Sequence, residues 1–246
     1  MLKIEKTVLP SPEQWEIIIE GMRNPMNSWD KMDSFVCEDE VMTADEIDAM
    51  CGACPKTGAC DIYDSASHYI LGHNDLKLMK QLAKGGAVHA KYRRMIPVFL
   101  TINAPFYWWK EFDTYKVGTV ANSCSTMHKI QAKEFTLDDF SHEHLISNAQ
   151  TYNGYIPASI LNAVIGTLNE FRNMFLETKN KRYWWQMIQM LPTSYNQKRT
   201  VMLNYEVLVN IYHSRKNHKL DEWHTFCDWI KTLPYSELIT GSDEDV

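Results

Sequence analysis

The sequence predicts a helix-rich α+β fold. Three observations predict it: several amphipathic runs at helical spacing with recognisable caps, one clear β-branched strand at 95–103, and the absence of any internal repeat. The 246 residues suit one domain over 1–240, with a Cys-rich insert near 50–66 and an acidic tail at 241–246. A hydrophobic content of 45% is enough for a sizeable core and excludes a disordered chain. The net charge of −6 argues against a nucleic-acid polymer as partner, although a local basic patch can still hold one nucleotide. No apolar run is long enough to span a membrane, and no secretion signal opens the chain, so no membrane partner and a cytoplasmic location are expected. The six cysteines, at 37, 51, 54, 60, 124 and 227, are then expected as reduced thiols.

The elements follow in order. Ser11 is an N-cap and Pro12 the first residue of a helix that turns Trp15, Ile18 and Ile19 inward and stops near 21–25. Residues 26–42 read as loop. Thr43 and Glu46 form a capping box before a short helix ending near Cys51, and 52–66 is an irregular Gly, Cys and Pro segment. Asn74 caps a helix that runs to Lys84, with Leu76, Met79 and Leu82 on one face and Gly85-Gly86 ending it. After the strand, Pro105 restarts the chain as an aromatic helix. Residues 134–155 are polar and loop-rich. Pro157 begins the longest helix, to about 179, with Leu161, Val164, Ile165, Leu168, Phe171 and Phe175 at helical spacing. A second helical run at 182–190 ends at Leu191-Pro192, and segments 199–217 and 220–233 close the fold.

The densest chemistry lies in 105–129, PFYWWKEFDTYKVGTVANSCSTMHK. Six aromatic residues offer flat apolar surface, Lys110, Glu111, Asp113 and Lys116 offer charge, and 118–126 is small and hydroxyl-rich. That mixture suits a planar, anionic ligand such as a nucleotide or a flavin. Adjacent tryptophans on a helix point about 100° apart, so at most one of Trp108 and Trp109 can stack on any one ring. Tyr107, Tyr115, Met127, Met187 and Met190 read as core.

Four stretches resemble the flavin-dependent thymidylate synthases, in a divergent branch: GHNDLKLMKQLAKGGAVHAKYRRMI, TINAPFYWWKEFDTYKVGTVANSCSTMH, QMLPTSYNQKRTVMLNYEVLVNIYHSRKNH, and NPMNSWD near the N-terminus. In the third, Leu191-Pro192 is followed by Asn204, Asn210 and Arg215 at the family's spacing. On a helix these three are expected near one side. The second departs from the family signature. Counted without a gap, its three basic positions fall on Thr114, Tyr115 and Lys116, its serines on Thr119 and Cys124, and its Asn-Glu pair on Ala121 and Asn122. A shift of one residue matches Asn122 and Ser125 instead, and both registers stand. The signature's arginines and glutamate are replaced either way, and Ile188 or Gln189 stands where the family has an arginine before Leu-Pro.

The resemblance implies a small, mainly antiparallel sheet, non-covalent FAD without a Rossmann fingerprint, and a homotetramer. It implies that dTMP is made from dUMP, with methylenetetrahydrofolate as one-carbon donor and NADPH reducing the flavin. It implies Arg215 as the catalytic and pyrimidine-binding residue, and Lys116, Asn122, Ser123 and Ser125 as substrate phosphate contacts. It implies Asn204 and Asn210 as flavin contacts and requires no metal; the basic cluster with His89, Arg93 and Arg94 beside a strand suits the flavin's pyrophosphate, and His218 and Ser28 are further cofactor-binding candidates. Each has an ordinary structural alternative. Arg215 could compensate a helix dipole, the asparagines could face solvent, the Ser/Thr run could be a turn, and the basic run 89–94 could be solvated. Cys51, Cys54, Cys60 and Cys37 have partial zinc-ligand spacing, but reduced thiols suit them better. Two other functions stay open: a C5 hydroxymethylase or related uracil-modifying enzyme, and a non-catalytic flavin- or nucleotide-binding protein.

Overall fold

The computed structural model describes residues 2–37 and 68–241. The Thr43–Glu46 capping box, the helix near Cys51, the segment 52–66, Cys51, Cys54 and Cys60, and the tail 242–246 lie outside them. The strands are β1 (Lys3–Val8), β2 (Phe35–Cys37), β3 (His68–Ile70), β4 (Pro97–Pro105), β5 (Val120–Ser123) and β6 (Asn196–Asn204). The helices are α1 (Pro12–Arg23), α2 (His73–Lys84), α3 (Phe106–Phe112), α4 (Thr126–Lys129), α5 (Pro157–Thr178), α6 (Lys181–Met190), α7 (Tyr205–Arg215), α8 (Asp221–Lys231) and α9 (Glu237–Thr240). The result is a helix-rich α+β fold with a small antiparallel sheet, as the sequence predicts.

The main sheet has the order β1-β4-β6-β5. Its edges and centre differ as burial demands. β1 and β5 are almost wholly exposed, whereas β4 alternates, with Val98, Leu100, Ile102 and Ala104 buried and Phe99 exposed. β2 and β3 form a separate antiparallel pair, Phe35 opposite Ile70. β1, β2, β3, β5 and β6 are absent from the sequence reading, which took 26–42 as loop, 118–126 as a hydroxyl-rich stretch and 199–217 as one closing segment.

Two compact units share the chain. Unit 1 is Met1–Lys6, Leu100–Lys116 and Val120–Val201; unit 2 is Thr7–Phe99, Val117–Thr119 and Met202–Val246. Unit 1 has a core of Ile130, Phe135, Phe140, Leu161, Ile165, Leu168 and Met187, with Phe171 and Phe175 packed on it. This is the stripe read from α5, and Pro157 opens that helix as expected. Trp108 and Trp109 are both fully buried, so neither is a stacking platform. The Trp109 indole donates to the Gln197 carbonyl at 2.9 Å. Met127, expected in the core, is 49% exposed.

In unit 2, Ser11 and Gln14 complete a capping box on α1. Trp15 packs against Tyr69, Tyr205 and Tyr235, with ring centroids 6.4, 6.5 and 5.9 Å away. The N-cap of α2 is Gly72, not Asn74. Gly72 has no capping side chain, and Asp33 takes over: its carboxylate accepts from the N–H groups of Asn74 and Asp75 at 2.8 and 3.0 Å. A Cβ at Gly72 would stand 2.2 Å from the Asp33 side chain, which explains the glycine. No helix among the described residues is long and apolar enough to cross a membrane.

Candidate functional site

Unit 2 holds most of the residues implied for the flavin and the pyrimidine. α7 begins where β6 ends, at Asn204. That asparagine is the N-cap of α7, and its side-chain oxygen accepts from the Val207 N–H at 3.1 Å. It stands outside the helix, so no helix-propensity cost has to be offset there. Gly118, at φ 80°, brings its backbone against the Asn204 amide; an added Cβ would lie 3.0 Å from Nδ2. Asn210 is exposed on α7. At about 100° per residue it points about 140° away from Arg215. The three polar groups therefore do not share one side.

Arg215 ends α7 and is half-buried. Its guanidinium carbon lies 4.9 Å from the centre of the Trp223 ring, which is fully buried on α8. His218 turns back on the same corner. Its N–H donates to the Arg215 carbonyl at 3.0 Å, its Nδ1 accepts from the Leu220 N–H at 3.1 Å, and its ring meets Trp223 edge-on at 6.3 Å. Arg215 and His218 are thus brought together on one tryptophan.

The basic run 89–94 splits. His89 and Arg94 are exposed, and Arg93 is buried. The Arg93 Nε has no hydrogen-bond partner among the described residues, and neither does the carboxylate oxygen Oε2 of Glu206 in the first turn of α7. Burial pushes the Tyr92 hydroxyl up to about 12, with Arg93 pulling it down and Glu206 pushing it up. Partial burial, then Lys216 and Arg93, hold the His213 imidazole below its usual range. Arg93 therefore sits where its charge is felt on α7.

Ser28 is buried and already engaged. Its hydroxyl and its carbonyl each accept from Arg23 Nη1 at 3.2 Å. Arg23 in turn pairs through Nε with Asp75 at 2.5 Å, both side chains almost fully buried. The sequence reading missed this pair. Its one signal is a charged residue on each of two helices that otherwise turn apolar residues inward.

Unit 1 holds the implied phosphate contacts. Lys116 is exposed, and Asn122 and Ser123 lie on the exposed edge strand β5. Ser125 caps α4, its Oγ accepting from the His128 N–H at 3.0 Å. Asn122, Ser123 and Ser125 are brought together at one corner, which pairs with β6 through the Cys124 N–H to the Lys198 carbonyl at 2.9 Å. Behind it stands Arg199, which the sequence reading placed in a closing segment. Its guanidinium lies 4.3 Å from the centre of the Trp109 ring, and its Nη1 donates to Asp113 at 2.7 Å. Among the described residues, no group of three or more metal-ligating side chains could hold a metal ion.

This architecture is found in solved enzymes. It is similar to thymidylate synthase X (ThyX) from Helicobacter pylori, crystallised with FAD and dUMP, at a TM-score of 0.56 and 13% identity over 98% of this chain and 97% of that one. A second Helicobacter pylori structure, of flavin-dependent thymidylate synthase ThyX complexed with FAD and dUMP, gives 0.56 at 12% identity, covering 98% of each chain. The UMP/dUMP methylase PolB from Streptomyces cacaoi, bound with 5-Br dUMP, gives 0.51 at 10% identity over 94% of this chain and 88% of that one. No protein-family profile matches the sequence, and no curated protein is significantly similar to it. The chain has the fold of the flavin-dependent thymidylate synthases.

Proposed function

We propose that the protein is a flavin-dependent enzyme that modifies C5 of a uracil nucleotide, making dTMP from dUMP. The observation that carries this reading is coverage: the ThyX fold spans 98% of the chain, and those structures were crystallised with FAD and dUMP. The residues present suit such ligands. Arg215, held against Trp223, presents a planar donor suited to a uracil carbonyl edge. The buried Arg93 keeps an unmatched donor, as a site for an anionic cofactor would. In unit 1, Lys116, Asn122, Ser123 and Ser125 offer one cation, an amide and two hydroxyls to a phosphate. Asn204, Asn210, His89, Arg94 and His218 are proposed beside the flavin. Ser28 is left out because it is buried, with both its carbonyl and its hydroxyl turned to Arg23.

Bound FAD would supply the redox chemistry, with methylenetetrahydrofolate as one-carbon donor and NADPH as reductant. The chain's own tasks are to orient the pyrimidine, hold the phosphate and exclude water. The similarity to a UMP/dUMP methylase and the replaced signature arginines leave a second reading, another C5 modification on the same scaffold.

Purified protein mixed with FAD is expected to turn yellow and to quench flavin fluorescence. With dUMP, methylenetetrahydrofolate and NADPH it is expected to release dTMP, identified by mass. A hydroxymethyl product supports the second reading, and protein that stays colourless in excess FAD rules out both. The assembly is proposed as a homotetramer. α5 keeps Ile160 and Leu176 exposed, and Trp185 on α6 is exposed as well. Light scattering at micromolar concentration is expected to give four times the 28.7 kDa chain mass; a monomer overturns it.

A further inference from the structure

Lys116, Asn122 and Ser123 lie in the stretch 114–123, between Asp113 at the end of α3 and Cys124. Both anchor points lead to one side chain on β6. Arg199 donates from Nη1 to Asp113 Oδ1 at 2.7 Å and from Nε to Gln197 Oε1 at 2.9 Å. Gln197 is buried, and its Nε2 donates to the Cys124 carbonyl at 3.0 Å. The guanidinium carbon lies over the Trp109 ring, 4.3 Å from its centre, and the Trp109 indole is tied back to the Gln197 carbonyl. Arg199 and Gln197 are two residues apart on a strand, so both face the same side of the sheet.

The chemistry favours this arrangement. Asp113 is the C-cap of α3, where the helix dipole attracts a cation, and a guanidinium can serve two acceptors in one plane. The Arg199 side chain is 15% exposed and Asp113 48%, so of its two hydrogen bonds the one to Gln197 is the better shielded from competing water. A surface lysine or arginine would not need the buried glutamine as a second acceptor.

We propose that Arg199 is a positioning residue for anion binding: through Asp113 and Gln197 it fixes both ends of the stretch 114–123 and so sets where Lys116, Asn122 and Ser123 meet a nucleotide phosphate. This rests on the uracil-nucleotide reading above.

The test uses full-length protein carrying FAD, with dUMP as probe and three variants. Arg199→Met keeps the apolar stem over Trp109 and removes both donors. Arg199→Lys keeps the charge and reaches Asp113 but cannot form the fork. Gln197→Leu leaves the Asp113 pair and cuts the link to Cys124. Hydrogen exchange of the Cys124 and His128 amides, without nucleotide, is expected to speed up by about tenfold in Arg199→Met and in Gln197→Leu. In the same proteins the half-saturating dUMP concentration is expected to rise by about tenfold while kcat at saturation stays within about twofold, and Arg199→Lys should fall between. Unchanged exchange at both amides in both variants overturns the proposal. So does faster exchange with a lower Tm and unaltered dUMP half-saturation, which makes Arg199 a structural brace alone. Wild-type protein that neither binds nor converts dUMP overturns the nucleotide reading instead, and the exchange arm then still decides whether Arg199 holds the segment.

Discussion

Asp75→Asn is expected to lower stability by about 3–5 kcal/mol, because it breaks a buried ion pair and leaves one partner charged. The Asp75 carboxylate is fully buried and collects four donors. Arg23 Nε stands at 2.5 Å, the N–H groups of Asp33 and Ser34 at 3.0 and 2.9 Å, and the Ser34 hydroxyl at 2.6 Å. An amide there turns a donor toward donors and strands the Arg23 guanidinium, whose Nη2 already has no partner among the described residues. Urea unfolding should show the loss in the midpoint. Arg23→Met combined with Asp75→Leu should recover only the part due to the stranded guanidinium, since the Asp33 and Ser34 N–H groups and the Ser34 hydroxyl still lose their acceptor. A loss below about 1 kcal/mol would mean that the pair is worth no more than an exposed one.

The same group sets an acid limit. Burial works to raise the Asp75 pKa, but the Ser34 hydroxyl, the Asp33 N–H and Arg23 outweigh it, so the folded value lies below the ordinary one. A depressed carboxylate contributes stability that is fully present above its unfolded pKa of about 3.9 and is lost as pH falls through the lower folded value. Between about pH 7 and about pH 3, Tm should therefore fall more steeply in wild type than in the double variant.

Arg215→Ala is expected to cut dUMP turnover by about 10²-fold, the typical loss when a charged donor to a substrate oxygen is removed. The stack on Trp223 complicates the reading. A guanidinium on a buried indole adds about 1 kcal/mol of its own, so some loss of stability will accompany the variant. The comparison therefore has to be made at matched flavin occupancy. Arg215→Lys retains charge but not the planar fork, and should recover only part of the rate. Near wild-type turnover in Arg215→Ala, with a lowered Tm, would make Arg215 a brace between α7 and α8 and remove the best-placed residue of the proposed site.

The longer helices were legible because their signals are local, whereas the one-turn helices α4 and α9 were not read. Ser11 with Pro12, Pro105 and Pro157 stand at or just before helix starts, and each acts through the φ/ψ or side-chain cap of its own residue. The α5 stripe was legible for a similar reason: a 3.6-residue period needs no partner to be seen. The strands were less so. β6 holds two well-buried apolar side chains, Val201 and Leu203, among Gln197, Lys198 and Arg199, too short an alternation to be told from a helix without β4 beside it.

The site divides in the same way. By itself the sequence determined which residue types could meet an anion or a ring: the hydroxyls of 119–126, Lys116, the run 89–94, and Arg215 at its spacing from Leu191-Pro192. Only the tertiary structure decided which were already committed. Asn204 caps α7, Ser28 holds Arg23, Arg93 is buried while Arg94 is not, and Arg199 links Asp113 to Gln197. The physical reason is that a polar group's role depends on the partner that replaces its water. For Asp75 and Arg23, or Arg199 and Asp113, that partner lies on another segment of the chain, where no spacing rule can reach it.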